Sequence, residues 1–203
     1  MSDLCCLIIL ALPFFILWRQ RKAREQMNSN MRMVADQLKM GFNPDHGFEG
    51  TLMSGEIGQF SHRCKLQYVK RRGAKGRYHL YLVTTVSFLK PKSLGLELTP
   101  QGFLAEGIRF GGPPNQDIQT GHSDFDSNFR VKGFDEDKVR AFLDLERMES
   151  ILSLKELIPW YNTLSINDEG VSLRMSGLID DPNMVAGAIF QLADLASAIE
   201  KLS

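Results

Sequence analysis

"FSHRCKLQYVKRRGAKGRYHLYLVTTVSFL", residues 60–89, decides how this chain is read. Phe60, His62, Cys64, Leu66 and Tyr68 stand at alternate positions, the period that gathers one set of side chains on one face of a strand. "YHLYLVTTVSFL" resumes with the β-branched and aromatic residues that favour a pleated surface. Two such runs joined by the Gly-containing "KRRGAKGR" predict a β-hairpin. Arg63, Lys65, Lys70, Arg71, Arg72, Lys75 and Arg77 follow one another with no acidic residue among them. At the tip, Lys70, Arg71, Arg72, Lys75 and Arg77 are the candidate contact with anionic lipid or another polyanion, each base near an anionic surface contributing about 1 kcal/mol. Tyr68 and Tyr78 flank the tip as candidate stacking groups for nucleic acid. The competing reading is a solvated loop whose charges keep an edge strand from pairing with other chains.

Working outward, the β-rich portion opens at "GFEGTLMSGEIG", and "KPKSLGLELTPQG" and "GFLAEGIRFGG" follow the hairpin as short strands punctuated by Pro and Gly. "NFRVKG" predicts another strand, and "NTLSINDEGVSLRM" a second hairpin turning between Asn167 and Gly170. "GFDEDKVRAFLDLERMESIL" predicts a helix capped by Asp135, with Phe134 stapled onto Val139. Asp180, Asp181 and Pro182 open a final helix, along which Val185, Ile189, Leu192, Ala196 and Ile199 form one apolar stripe. The predicted class is α+β: an N-terminal transmembrane helix, then an antiparallel β-rich domain with packing helices.

The transmembrane expectation rests on "LCCLIILALPFFILW", residues 4–18, which carries no charge. Fifteen helical residues span about 22 Å, against a hydrocarbon core of about 30 Å. A secretory signal would put its bases before the apolar run; here Trp18, Arg19, Arg21, Lys22 and Arg24 follow it as an anchor flank. The positive-inside rule then puts the remainder in the cytoplasm, as a single-pass protein of the cell inner membrane. The expected domains are a membrane anchor over 1–24, a juxtamembrane helix over 25–43 with its stripe at Met27, Met31, Val34 and Leu38, and an α+β domain over 44–203. Cys64 is the one cysteine outside the opening run, which fits a reducing compartment. Lys+Arg and Asp+Glu both total 24, so the chain as a whole has no net charge that selects a polyanion.

Catalytic chemistry has one candidate, "TGHSDFDSNF" at 120–129. His122, Ser123 and Asp124 are hydrolytic residue types, but adjacent side chains on one segment do not assemble a triad. Asp124, Asp126, Asn128 and Asp135 have calcium-loop spacing, yet Phe129 stands where that loop needs Gly. The expected structure is a turn whose aspartates bond their own backbone while Phe125 and Phe129 point inward. His46, His62 and His79 lack ligand spacing and are read as sheet or surface residues. No catalytic residue, metal ligand or cofactor is assigned.

Ile118, Gly121, Phe125, Asp126, Phe129, Val131, Gly133 and Asp135 spell I-x-x-G-x-x-x-F-D-x-x-F-x-V-x-G-x-D. With them the chain resembles a group of uncharacterised bacterial membrane-anchored α+β domain proteins, chiefly over residues 80–200. The resemblance implies the same architecture and a bacterial source, and carries no activity. The expected function is a membrane-anchored, cytoplasm-facing interaction module touching anionic lipid through the basic hairpin. The alternative is a membrane-tethered hydrolase or metal-dependent enzyme using His122, Asp124 and Asp126. Expected partners are the lipid bilayer and another membrane protein or second copy, with nucleic acid unlikely.

Overall fold

The computed structural model describes residues 2–44, 50–57, 62–72, 78–101, 116–157, 163–176 and 181–201. Nine strands form one sheet: β1 (Gly41–Phe42), β2 (Gly50–Glu56), β3 (Arg63–Arg72), β4 (Tyr78–Ser87), β5 (Glu97–Pro100), β6 (Gln116–Ile118), β7 (Phe129–Gly133), β8 (Ser165–Asn167) and β9 (Gly170–Ser176). Their spatial order is β1-β2-β3-β4-β9-β8-β5-β7-β6, antiparallel at every pairing. Among the described residues five helices accompany the sheet: α1 (Ser2–Leu38), α2 (Ser123–Asn128), α3 (Glu136–Phe142), α4 (Leu145–Leu157) and α5 (Pro182–Lys201). The α+β class and both predicted hairpins, β3–β4 and β8–β9, are present.

Period-two patterning puts Cys64, Leu66 and Tyr68 of β3, Leu82, Thr84 and Val86 of β4, and Val171, Leu173 and Met175 of β9 in the core. They meet α5, whose Val185, Ile189, Leu192, Ala196 and Ile199 are all buried to 1% exposure or less. Asp181 starts this helix by accepting hydrogen bonds from the Asn183 and Met184 amides. The end of α1 lies beside α5, with Met27, Met31, Val34, Ala35 and Leu38 buried. On the other flank α4 packs against α5 through Met148, Ile151 and Leu154.

The transmembrane expectation is overturned. Among the described residues no helix is long and apolar enough to cross a membrane. The apolar run stops after fifteen residues, while its helix continues through Arg19, Arg21, Lys22 and Glu25, whose charges hydrocarbon does not accept. The single-pass topology, the inner-membrane location and the cytoplasmic orientation rested on that span and go with it. The expected anchor flank instead makes contacts along the helix surface. Lys22 lies 5.5 Å from the Trp18 ring, Arg19 lies 5.9 Å from Phe15, and Arg21 pairs with Glu25 at 2.9 Å. The side chain of Arg24 lies outside the described residues.

Two local differences from the sequence reading have physical causes. The single helix expected over 133–152 is two, because the chain leaves helical geometry at Leu143 and Asp144 then caps α4 by accepting from the Arg147 amide at 2.9 Å. Phe134 does not sink into the core; its ring lies over Gly95, whose φ of +65° and missing Cβ let it approach. The strand expected at "GFLAEGIRFGG" lies outside the described residues.

Gly170 faces the Val86 carbonyl at the start of β9, so closely that any Cβ would strike backbone. Gly187 sits exposed in α5 with open space around it. Gly170→Ala is expected to destabilise the fold by about 2 kcal/mol or more, as overpacking against backbone does. Gly187→Ala should stabilise it by about 0.5–1 kcal/mol. Urea unfolding of the two variants beside the parent chain checks both signs.

Candidate functional site

Among the described residues the helices cover one face of the sheet and leave the other uncovered. On the uncovered face, cross-strand register aligns Ser54, Lys65, Thr85, Ser172 and Ser165 in one row over five strands. The next row contains Gln67, Val83 and Arg174, and the one beyond it Val69, Tyr81 and Ser176. Thr85 and Ser172 hydrogen-bond at 3.0 Å. The Arg174 guanidinium lies over the Tyr81 ring, 4.8 Å from its centroid, and His79 stands 6.4 Å from that ring at a 36° tilt.

Charge is distributed unevenly across this sheet. Strands β2, β3, β4 and β9 contain Arg63, Lys65, Lys70, Arg71, Arg72 and Arg174, against Glu56 as their single acid. On β5, β6 and β7 the bases are matched. Arg130 grips Asp117 with two hydrogen bonds of 2.8 and 2.5 Å, and Lys132 faces Glu97 at 3.8 Å. That grip holds the Asp117 carboxyl below its usual range. On the face opposite the core, Arg63 and Lys65 are the exposed bases of β3.

The hairpin tip expected to carry Lys70, Arg71 and Arg72 is still strand there: these are the last three residues of β3, in register with Leu80, His79 and Tyr78. Lys75 and Arg77 lie outside the described residues. Of the two candidate stacking tyrosines, Tyr68 is in the core at 1% exposure, and the Tyr78 side chain lies outside the described residues. The tyrosine on the uncovered face is Tyr81, which sequence reasoning passed over. Its odd position in the alternation of β4, opposite in parity to Leu82, Thr84 and Val86, was the signal that could have found it.

The "TGHSDFDSNF" turn uses its polar groups internally. Asp126 accepts from the Thr120 amide and hydroxyl at 3.0 and 2.9 Å and from the Gly121 amide at 3.1 Å. His122 Nδ1 accepts from the Phe125 amide at 3.2 Å and so caps α2. Asp124 is exposed, while Phe125 and Phe129 are buried with ring centroids 5.2 Å apart. Among the described residues no three His, Cys, Asp or Glu side chains are grouped to hold a metal ion. Every position of the motif has a folding role in view. Ile118 and Val131 pair across β6 and β7, Gly121 takes φ +85°, Gly133 makes room for Val139, and Asp135 caps α3.

His62, expected on the sheet or surface, is buried at 3% exposure within a polar clasp. Its Nδ1 donates to the Ser87 carbonyl at 2.9 Å, and its Nε2 meets Ser197 Oγ at 3.0 Å. A serine bonded to an imidazole is the pairing of nucleophile and base. Here Glu200, 3.6 Å from His62, spends its carboxylate on the Leu89 and Lys90 amides, and the arrangement locks α5 to the segment after β4. The groove of about 470 Å³ between α4 and α5 is lined by Asp194, Leu195 and Ala198, on a different side of α5 from Ser197. Arg147 is a buried charge at this end. It donates to the Ile199 and Phe142 carbonyls at 3.1 and 2.8 Å and pairs with Asp144 at 2.9 Å.

Two expected outcomes follow from these placements. Asp126→Ala should destabilise the fold by about 1–3 kcal/mol because three donors lose their acceptor, whereas Asp124→Ala should stay within about 0.5 kcal/mol; thermal unfolding separates them. Burial pushes the Cys64 thiol from 9.0 up to about 12 and the Tyr68 phenol from 10.0 up to about 12. Both groups hold their protons longer in the folded chain than in the unfolded one. Stability is therefore complete below about pH 9 and falls as pH rises toward 12. Among the described residues the Tyr68 hydroxyl also has no hydrogen-bond partner. Tyr68→Phe should thus leave neutral-pH stability unchanged or higher and flatten the loss above pH 10, as read by denaturant midpoints across pH.

No protein-family model, no curated protein and no solved structure matches this chain.

Proposed function

We propose that this protein is an interaction module that binds an anionic partner on the uncovered face of β2, β3, β4 and β9. The observation that carries this reading is the exposed pair Arg63 and Lys65 on that face of β3, on strands whose one acid is Glu56, beside a β5–β6–β7 half whose bases are matched by Asp117 and Glu97. A chain with no net charge has no general attraction for polyanions, so such a partner would be held by a local field. The exposed Arg63 and Lys65 stand on β3 within reach of one extended anion, and serine and threonine hydroxyls from neighbouring strands supply uncharged partners.

An interaction role is favoured over the enzymatic alternative because His122 and Asp126 are engaged in capping α2 and closing its turn. The retention test uses a heparin column at low salt. The full chain is expected to be retained and to elute with salt. Arg63→Gln with Lys65→Gln should elute earlier, and Arg130→Gln should elute with the parent because Asp117 already neutralises that base. A parent chain that flows through at low salt refutes the reading.

A further inference from the structure

We infer that the anion this face takes is a single strand of nucleic acid, its bases stacking on the ledge built by His79, Tyr81 and Arg174. This rests on the anionic-partner reading above and deepens it from charge to chemistry. A polyanion recognised by charge alone needs only bases. The face offers more: two rings at successive same-face positions of β4, 6.4 Å between centroids, and a guanidinium over one of them at 4.8 Å. Same-face neighbours on a strand stand about 6.6–7 Å apart, a separation at which two unstacked bases can each find a ring or guanidinium plane.

The surroundings fit a strand crossing the sheet. Lys65 lies on the neighbouring β3 opposite Thr85, four residues along β4 from Tyr81, and the exposed Arg63 lies two residues farther, so a sugar-phosphate backbone would leave the ledge along β3 toward them. On the other side Ser172 and Ser176 of β9 offer hydroxyls for base edges. A duplex hides the π faces of its bases, so the ledge would contribute nothing to it. The aromatic component therefore selects a single strand over a duplex, and nucleotide over a bare phosphate chain.

The test is fluorescence anisotropy of the full chain with labelled dT12, a labelled 12-base-pair duplex, and inorganic polyphosphate as competitor. The single strand is expected to bind at least about tenfold more tightly than the duplex. Tyr81→Ala should weaken it by about tenfold or more, the loss of one stacked base, while Tyr81→Phe keeps the ring and stays within about twofold. His79→Ala, at an exposed position, reads the same ledge should Tyr81→Ala disturb folding by circular dichroism. Lys65→Gln should weaken single strand and polyphosphate alike and lower the salt slope by about 0.7–0.9. If polyphosphate binds and neither Tyr81→Ala nor His79→Ala alters dT12 affinity, the single-strand assignment is overturned while the anionic face stands. Duplex binding as tight as single-strand binding overturns it equally. If neither dT12 nor polyphosphate binds, both readings fail together.

Discussion

The packing of α5 across β4 and β9 is the contact on which the rest of this structure depends. Its apolar stripe from Val185 to Ile199 is the ceiling of the core, and α1 and α4 each complete the helical layer by packing against it. Among the described residues the sheet has one such layer, so the alternation of its strands translates into one apolar and one polar face. The uncovered face, with Lys65, Tyr81 and Arg174, is thus a by-product of where α5 lies.

The C-terminal turns of α5 are held by polar groups that apolar packing could not replace. Glu200 accepts from the Leu89 and Lys90 amides, His62 bridges the Ser87 carbonyl and the Ser197 hydroxyl, and Arg147 reaches the Ile199 carbonyl. A cation donating to the last carbonyls of a helix also meets the negative end of its dipole. Asp168 repeats the device at the β8–β9 turn, where its carboxylate takes the Leu94, Gly95 and Leu96 amides and steers the chain into β5. These residues are spread from position 62 to 200, and each is ordinary in its local sequence. Only their convergence gives them a role.

The candidate surface was half legible in the sequence. The run of bases from Arg63 to Arg77 announced itself without any fold, and the alternation of "YHLYLVTTVSFL" announced a strand. Nearness to the tip does not make Tyr68 an outward ring, because it shares the parity of the buried Cys64 and Leu66. Arg174 was absent from the reading altogether. It reaches Tyr81 because β9 pairs with β4, and a pairing between strands some ninety residues apart has no local signature.

By itself the sequence determined what is local. The β3–β4 and β8–β9 hairpins, the caps at Asp135 and Asp181, the stripe of α5 and the self-bonded turn at Asp126 all follow from periodicity and turn chemistry over a few residues. The tertiary structure decided what depends on partners far along the chain. It placed β5 between β8 and β7, buried His62 and Arg147, and put the rings of His79 and Tyr81 beside Arg174. It also set aside the membrane span that fifteen apolar residues suggested, since crossing a bilayer is a matter of helix length and charge placement together. Local interactions are encoded in spacing, whereas long-range pairing is chosen by the total burial the whole chain achieves, which no window of residues contains.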